Sequence, residues 1–262
     1  MNSSAPASSH VYDTKRGLHL DIHLPPQPAS APVVLYLHGG GFEAGSRAQH
    51  AHDRLSPLAA RGVAIVSADY RLAPEAAYPG PVIDVHRAMA WLRENGADLG
   101  LRDGPIGLIG TSAGGYLAAA AALSAPGECG QIGLVSPWFA PLDLWASTRR
   151  SPLEMALDSR RLFETNLVPG LEAATLRDVS PVHRAGADAP PFLILHGDRD
   201  VVASHRQSEL LHDALQRQGV ESTLITVGGA GHDDPLFNAP WLLDVVASAF
   251  KRALRDPRTA AS

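Results

Sequence analysis

A serine stands between glycines in the stretch GTSAGG, residues 110–115, with the apolar run 105–109 before it and an alanine-rich stretch from Tyr116 after it. A chain that turns sharply from a strand into a helix tolerates only small neighbours, and a serine at that bend has its hydroxyl held out at the edge of the sheet. Small residues also serve simply to bring a helix close to a sheet, so the motif alone makes Ser112 a candidate nucleophile and no more. A hydroxyl is a weak nucleophile. It needs a base, an acid to orient that base, and donors for the negative charge that develops on an attacked carbonyl oxygen. The donors have a candidate source in LHGGGF, which follows the apolar run 33–37. Its glycines leave the Gly40 and Gly41 N–H groups unobstructed, and with the Ala113 N–H they form the expected oxyanion hole.

For the acid, HGDRDVV follows the apolar run 191–196 and offers Asp198 and Asp200. Spacing alone does not separate two carboxylates two residues apart; the one not used is expected to cap a turn. For the base there are 12 histidines. His19 and His23 fall on the polar face of a strand, and His205 and His212 on a solvated helix. His50 and His52 point apart on a helix, and with no cysteine or acidic cluster beside them no metal site is expected. His232, in GGAGHDD after the last strand, differs because its glycines permit a tight excursion at the sheet's edge. The order Ser112, acid, His232 is the order in which serine, acid and histidine follow one another on sheets whose nucleophile sits on such a turn.

These residues require a scaffold with several strand ends on one side. GLHLDIHLP alternates Leu18, Leu20, Ile22 and Leu24 with polar residues, the pattern of a half-buried strand, and HVYDT before it is the expected hairpin partner. PVVLYL, GVAIVSA, PIGLIG, QIGLVS and PFLILHG are short continuous apolar runs bounded by Gly or Pro, as strands buried on both faces require. Between them, PGPVIDVHRAMAWLRENG places Val82, Val85, Met89 and Leu92 at helical spacing, with proline at the start and Gly96 where a C-terminal cap belongs. SHRQSELLHDALQRQG repeats the pattern with Leu210, Leu211 and Leu215, and with Ser204 as N-cap. VESTLITV and APWLLDVVASAFKRAL follow as a last strand and helix. The alternation predicts an α/β domain, a mostly parallel sheet of about eight strands flanked by helices. Residues 1–9, rich in Ser, Ala and Pro, are expected to be a flexible tail, and residues 139–186, which break the rhythm, a small helical cap.

The 262 residues, 45% of them hydrophobic, suffice for one domain spanning 1–262. A net charge of −5 without a basic run disfavours nucleic acid or an anionic membrane as partner. One cysteine, Cys129, excludes an internal disulfide framework, and the start MNSSAPASSH lacks the basic and apolar parts of a secretory signal, so a cytoplasmic location is the expectation. The oligomeric state is left open.

HGGGF, DYRLAPE and GTSAGG together resemble the α/β-hydrolase superfamily, in the esterase branch that holds hormone-sensitive-lipase-like and bacterial acetyl or feruloyl esterases. The resemblance covers nearly the whole chain and implies hydrolysis of a carboxylic ester by Ser112, Asp200 and His232 without a cofactor. It supplies most of the preference for Asp200 over Asp198. It also implies that Arg71 and Glu75 brace the loop beneath the oxyanion hole. Two features depart from the hormone-sensitive-lipase pattern: Thr111 stands where aspartate is usual, and GDRDVV replaces Asp-Pro-Leu in the acid motif. The acid region is closer to prolyl-oligopeptidase-type and small feruloyl-esterase hydrolases. Phe42, Trp138, Phe139 and Trp145, with Leu162 and Phe163, are the expected lining of a pocket for short-chain or small aryl and alkyl esters, and the aromatics of the insertion serve equally well as glue that holds it to the body. The same triad would serve an aryl formamidase or another amide hydrolase, and the scaffold also resembles small-molecule receptors that lack a working triad.

Overall fold

The computed structural model describes residues 6–124, 131–144 and 173–255, with the side chains of 173–175 excepted. The hairpin expected near the start forms from β1 (Ser8–Asp13) and β2 (Leu18–His23), antiparallel with Ser8 opposite Ile22. Ser8 and Ser9 therefore belong to a strand and not to a tail. The Ala7 N–H donates to the Ile22 carbonyl and the Ser9 hydroxyl to the Asp21 carboxylate, so these small residues are paired to β2 at the sheet edge.

The apolar runs become β3 (Val33–Leu37), β4 (Ala64–Ala68), β5 (Ile106–Thr111), β6 (Ile132–Trp138) and β7 (Phe192–Gly197), and β8 (Ser222–Val227) follows. They join in one eight-stranded sheet of order β1-β2-β4-β3-β5-β6-β7-β8. β2 runs antiparallel to β4, and every pair from β4 through β8 is parallel. Strict alternation along these strands divides the core in two. Val33, Leu35 and Leu37 enter one apolar cluster and Val34 and Tyr36 the other, because successive side chains leave a strand on opposite faces.

Helices cover both faces. α1 (Ser56–Ala60) is entered through a wide helical turn, Ala51–Leu55; α2 (Gly80–Asn95) and α3 (Ala113–Ser124) follow β4 and β5. α4 (Ala173–Val179) and α5 (Pro181–Arg184) precede β7, and α6 (Arg206–Arg217) and α7 (Pro240–Ala253) close the described chain. α2, α3 and α6 supply one cluster, with Val82, Val85, Met89, Leu92, Leu211 and Leu215; α1 and α7 supply the other, with Leu58, Leu242, Val246 and Phe250. His205, not Ser204, takes the N-cap position of α6; the Ser204 hydroxyl lies one residue earlier and accepts the Arg206 N–H at 3.3 Å. Gly96 takes the C-cap position as expected, its N–H donating to Leu92 O. Its φ is −62°, the chain runs on through a short 3-10 turn, and the left-handed residue is Gly100 at φ 73°.

Of segment 139–186, the stretch 145–172 lies outside the described residues. The described ends are bolted to the body. The Phe139 N–H donates to Leu195 O, the Leu142 and Asp143 N–H groups donate to the Gln207 side-chain oxygen, and the Tyr116 hydroxyl donates to Val179 O.

Candidate active site

Strand β5 delivers Ser112 at its C-terminal end, and the reason for the flanking glycines is steric. A Cβ on Gly110 would lie 2.0 Å from Gly114 O, and one on Gly114 would lie 2.1 Å from Leu37 O, so any side chain at either position collides with backbone. Ser112 itself has φ 51°, a left-handed conformation that costs a non-glycine residue about 1–3 kcal/mol and persists only where surroundings enforce it. They do so here: the Ser112 N–H donates to Trp138 O at 2.9 Å, and Ser112 O accepts the Tyr116 N–H at 3.1 Å as α3 begins. Thr111, beneath the serine, is fully buried, with its hydroxyl 3.2 Å from the Tyr36 hydroxyl.

Asp200 and His232 come from the loops after β7 and β8 to the same edge. His232 Nε2 lies 2.9 Å from Ser112 Oγ, and Nδ1 lies 2.7 Å from Asp200 Oδ2. With a carboxylate facing Nδ1, that nitrogen carries the proton and Nε2 is the acceptor for the serine hydroxyl. The Asp200 side chain is fully buried, and its other oxygen accepts the Val202 and Ala203 N–H groups at 2.8 and 2.9 Å. Burial pushes its carboxyl up, but hydrogen bonds from His196, His232 and the Ala203 N–H outweigh burial and hold it far below the usual carboxylate range. Asp198, the competing acid, accepts the Gly229 N–H at 2.7 Å and so ties the β7 and β8 loops together.

The loop after β3 passes beside the serine. An added Cβ on Gly39 would lie 3.5 Å from Ser112 Cβ, and Gly40 and Gly41 take φ 121° and 62°. Among the described residues the Gly40 and Gly41 N–H groups have no acceptor, and Ala113, as the first residue of α3, has no carbonyl within its own helix to bond. His38 anchors the loop. It is buried and stacked on Tyr70 with ring centres 4.4 Å apart, and its Nδ1–H donates to Gly39 O at 2.7 Å. Burial pushes its pKa down and keeps the ring neutral.

The brace beneath this loop is built around Asp84 instead of Glu75. Arg71 closes on the buried Asp84 carboxylate with two side-chain hydrogen bonds of 2.7 and 2.8 Å, while Glu75 is exposed and makes no hydrogen bond among the described residues. The connection upward runs from the Ala73 N–H to Phe42 O at 2.7 Å.

The expected pocket lining fares unevenly. Trp138 is a core residue: it is fully buried, its indole N–H donates to Ser136 Oγ, and the Arg54 guanidinium lies 5.0 Å above its ring. Phe42 is likewise packed inside, edge-on to Tyr116. Their places at the ends of inward-facing strand and loop segments leave them no open surface. Phe139, buried as well, touches the site directly, its ring 5.1 Å from that of His232. Trp145, Leu162 and Phe163 lie outside the described residues.

Two polar clusters at this edge escaped the sequence reading. Arg54, with no exposed surface, donates to Asp233 Oδ1 at 3.1 Å and to Asn238 at 2.8 Å, and His50 Nε2 lies 3.0 Å from Asp233 Oδ2. Asp233, next to His232, has φ 49°. The run HAHDR thus supports the histidine loop; a lone arginine beside Leu55 and Leu58 was the available signal. The second cluster joins the buried His196 to Asp200 and Ser208. Among the described residues no group of His, Cys, Asp or Glu is arranged to hold a metal ion, and no helix is long and apolar enough to cross a membrane. A cavity of about 500 Å³ lined by Arg61, Arg102, Lys251 and Arg255 opens at the other end of the strands, away from Ser112, Asp200 and His232.

Three comparisons bear on this geometry. Esterase LipC of Mycobacterium tuberculosis is 31% identical over 220 residues, covering 80% of this chain and 54% of that protein. An acetyl esterase of Salmonella schwarzengrund is 31% identical over 205 residues, covering 73% of this chain and 61% of that one. The chain spans about half the length of the M. tuberculosis relatives it matches, 54%, 47% and 49% for LipC, LipQ and LipM. Among solved structures, the thermophilic esterase Est2 of Thermogutta terrifontis superimposes with a TM-score of 0.74 at 28% identity, covering 95% of both chains. A truncated carbohydrate esterase from gut microbiota reaches 0.82 at 24% identity, covering 96% and 98%, a likeness of fold. The fold is that of the α/β-hydrolases, and because the BD-FAE family model matches residues 20–215, the chain belongs to the BD-FAE family.

Proposed function

We propose that this chain hydrolyses carboxylic esters through an acyl-enzyme formed on Ser112. The observation that carries the reading is the unbroken relay from Ser112 Oγ through His232 to Asp200, 2.9 and 2.7 Å, beside a loop whose Gly40 and Gly41 N–H groups have no acceptor among the described residues. His232 Nε2 takes the serine proton as Oγ bonds to the acyl carbon, and the carbonyl electron pair moves onto oxygen, where the N–H groups of Gly40, Gly41 and Ala113 receive it. The tetrahedral centre collapses, the C–O bond to the alcohol breaks, and the alkoxide takes the proton back from His232. Water then repeats the sequence and releases the acid. Asp200, ionised throughout, holds Nδ1–H and stabilises the imidazolium between the two transfers.

Short acyl groups suit the site best. Phe139 closes on the His232 ring, and Phe42 and Trp138 are buried in the core and offer no open pocket wall. The related Est2 has been solved with propionate and with butyrate bound, and other relatives are named acetyl esterase. The test is hydrolysis of p-nitrophenyl esters from acetate to decanoate by the wild type and by Ser112→Ala. Serine-dependent turnover that is highest with the short esters is expected; equal rates for the two proteins, or a preference for decanoate, contradict the proposal.

A further inference from the structure

The triad accounts for one of the two histidines on Asp200. His196, at the end of β7, is fully buried, and its Nε2 faces two oxygens, Ala203 O at 2.8 Å and Asp200 Oδ2 at 3.2 Å. A neutral ring can have a lone pair on only one nitrogen, and a lone pair aimed at two oxygens is repelled by both. The proton therefore sits on Nε2, which donates to both oxygens, and Nδ1 accepts from the buried Ser208 hydroxyl at 2.6 Å. Each Asp200 oxygen then has two donors: Oδ1 takes the Val202 and Ala203 N–H groups, and Oδ2 takes His196 and His232.

We propose that His196 is a positioning residue that shares Asp200 Oδ2 with His232 and thereby restrains the basicity of His232. The proposal rests on the hydrolase reading only in taking His232 as the base. A carboxylate oxygen that spends part of its charge on a second donor stabilises the neighbouring imidazolium less than one with a single partner. The arrangement also fixes the loop, since the same Nε2–H bridges Asp200 and the Ala203 carbonyl three residues on. The other titratable group beside His196 is His205, its ring centre 5.5 Å away, which leans on Glu209 at 3.5 Å. His205 and Glu209 lie away from Oδ2 and stay in place in the variants below.

The test is the midpoint at which His232 takes up its second proton. It is followed by NMR of the imidazole in the whole chain and, in parallel, by the acid limb of kcat/KM. His196→Phe is expected to move both upward by roughly 0.5 pH unit, as removal of one hydrogen-bond donor from a shared carboxylate implies, while kcat falls about tenfold as the loop loosens. His196→Gln, which retains an N–H donor, is expected to stay within about 0.2 unit of wild type. If His196→Phe does not fold, Ser208→Ala frees Nδ1 and is expected to move the midpoint in the same direction by a smaller amount. A midpoint that stays put or moves downward in the folded variant, with only thermal stability reduced, overturns the proposal and leaves His196 a packing residue. Because the NMR midpoint needs no turnover, it stands apart from the ester assay: absence of Ser112-dependent hydrolysis refutes the reaction, and an unmoved midpoint refutes the sharing.

Discussion

Ser112 and Asp200 are held at the same sheet edge by opposite means. Ser112 is positioned by exclusion: backbone approaches of 2.0 and 2.1 Å at the Gly110 and Gly114 Cβ positions leave the chain one path, and the serine takes a φ of 51° to follow it. Asp200 is positioned by attraction, from two backbone N–H groups and two histidines around a fully buried carboxylate. A sterically enforced turn tolerates no bulk but keeps its shape without solvation or charge. A charge-held acid tolerates changes of shape, yet depends on every donor and on its own ionisation.

The contrast is broken most severely by removing charge on the acid side. Asp200→Asn preserves size and the Oδ1 contacts but lets His232 adopt the wrong tautomer, and kcat is expected to fall by about 10³–10⁴-fold with the fold intact. Kinetics alongside circular dichroism check both halves. On the steric side the loss appears in stability. Gly114→Ala pushes a methyl into Leu37 O, and because neither partner is a flexible side chain it is expected to cost about 3–5 kcal/mol in urea unfolding, more than an ordinary overpacked core site.

Asp233 gives a smaller and pH-dependent effect. Burial pushes its carboxyl up, but the His50 hydrogen bond and the Arg54 charge prevail and lower it from 3.8 to about 2. A depressed carboxyl contributes stability in full above its unfolded value and loses it as pH falls through the folded one. The difference between wild type and Asp233→Asn, roughly 1–2 kcal/mol at neutral pH, should therefore shrink between pH 4 and 2. Urea midpoints across that range measure it. The smallest effect belongs to the pair beneath the serine. Tyr36→Phe removes the 3.2 Å contact with Thr111 and leaves the Thr111 hydroxyl without that partner, for an expected cost of about 1 kcal/mol and an unchanged kcat.

The same contrast explains what the sequence discloses. Steric demands are written in residue type: GTSAGG and LHGGGF announce turns that only small residues enter, and the apolar runs of 33–37, 64–68 and 192–197 announce strands covered on both faces. His232 was legible because its glycines and its place after the last strand fit the chain order. Attractive networks are not written locally. Asp198 and Asp200 differ only in where the loop turns each, one toward the Gly229 N–H and the other toward His232. Arg54 meets Asp233 across 179 positions of chain, and no spacing rule joins them. Asp84 did leave a trace, an aspartate amid Val82, Val85 and Met89 on the buried face of α2, where only a partner such as Arg71 permits it. Trp138 was misplaced because an aromatic at a strand end reads equally as pocket wall or as core, and the face it takes depends on Arg54 and Phe237 from distant segments.

The central claim is that Ser112 is activated by His232 and Asp200, and it is tested most directly by covalent capture. The chain is incubated with a fluorophosphonate and the modified residue is mapped by mass spectrometry in the wild type, Ser112→Ala and Asp200→Asn. The account predicts stoichiometric labelling at Ser112 in the wild type, none in Ser112→Ala and labelling slowed by orders of magnitude in Asp200→Asn. A folded wild type that is not labelled, or labelling at Ser112 that proceeds equally fast without the acid, would contradict it.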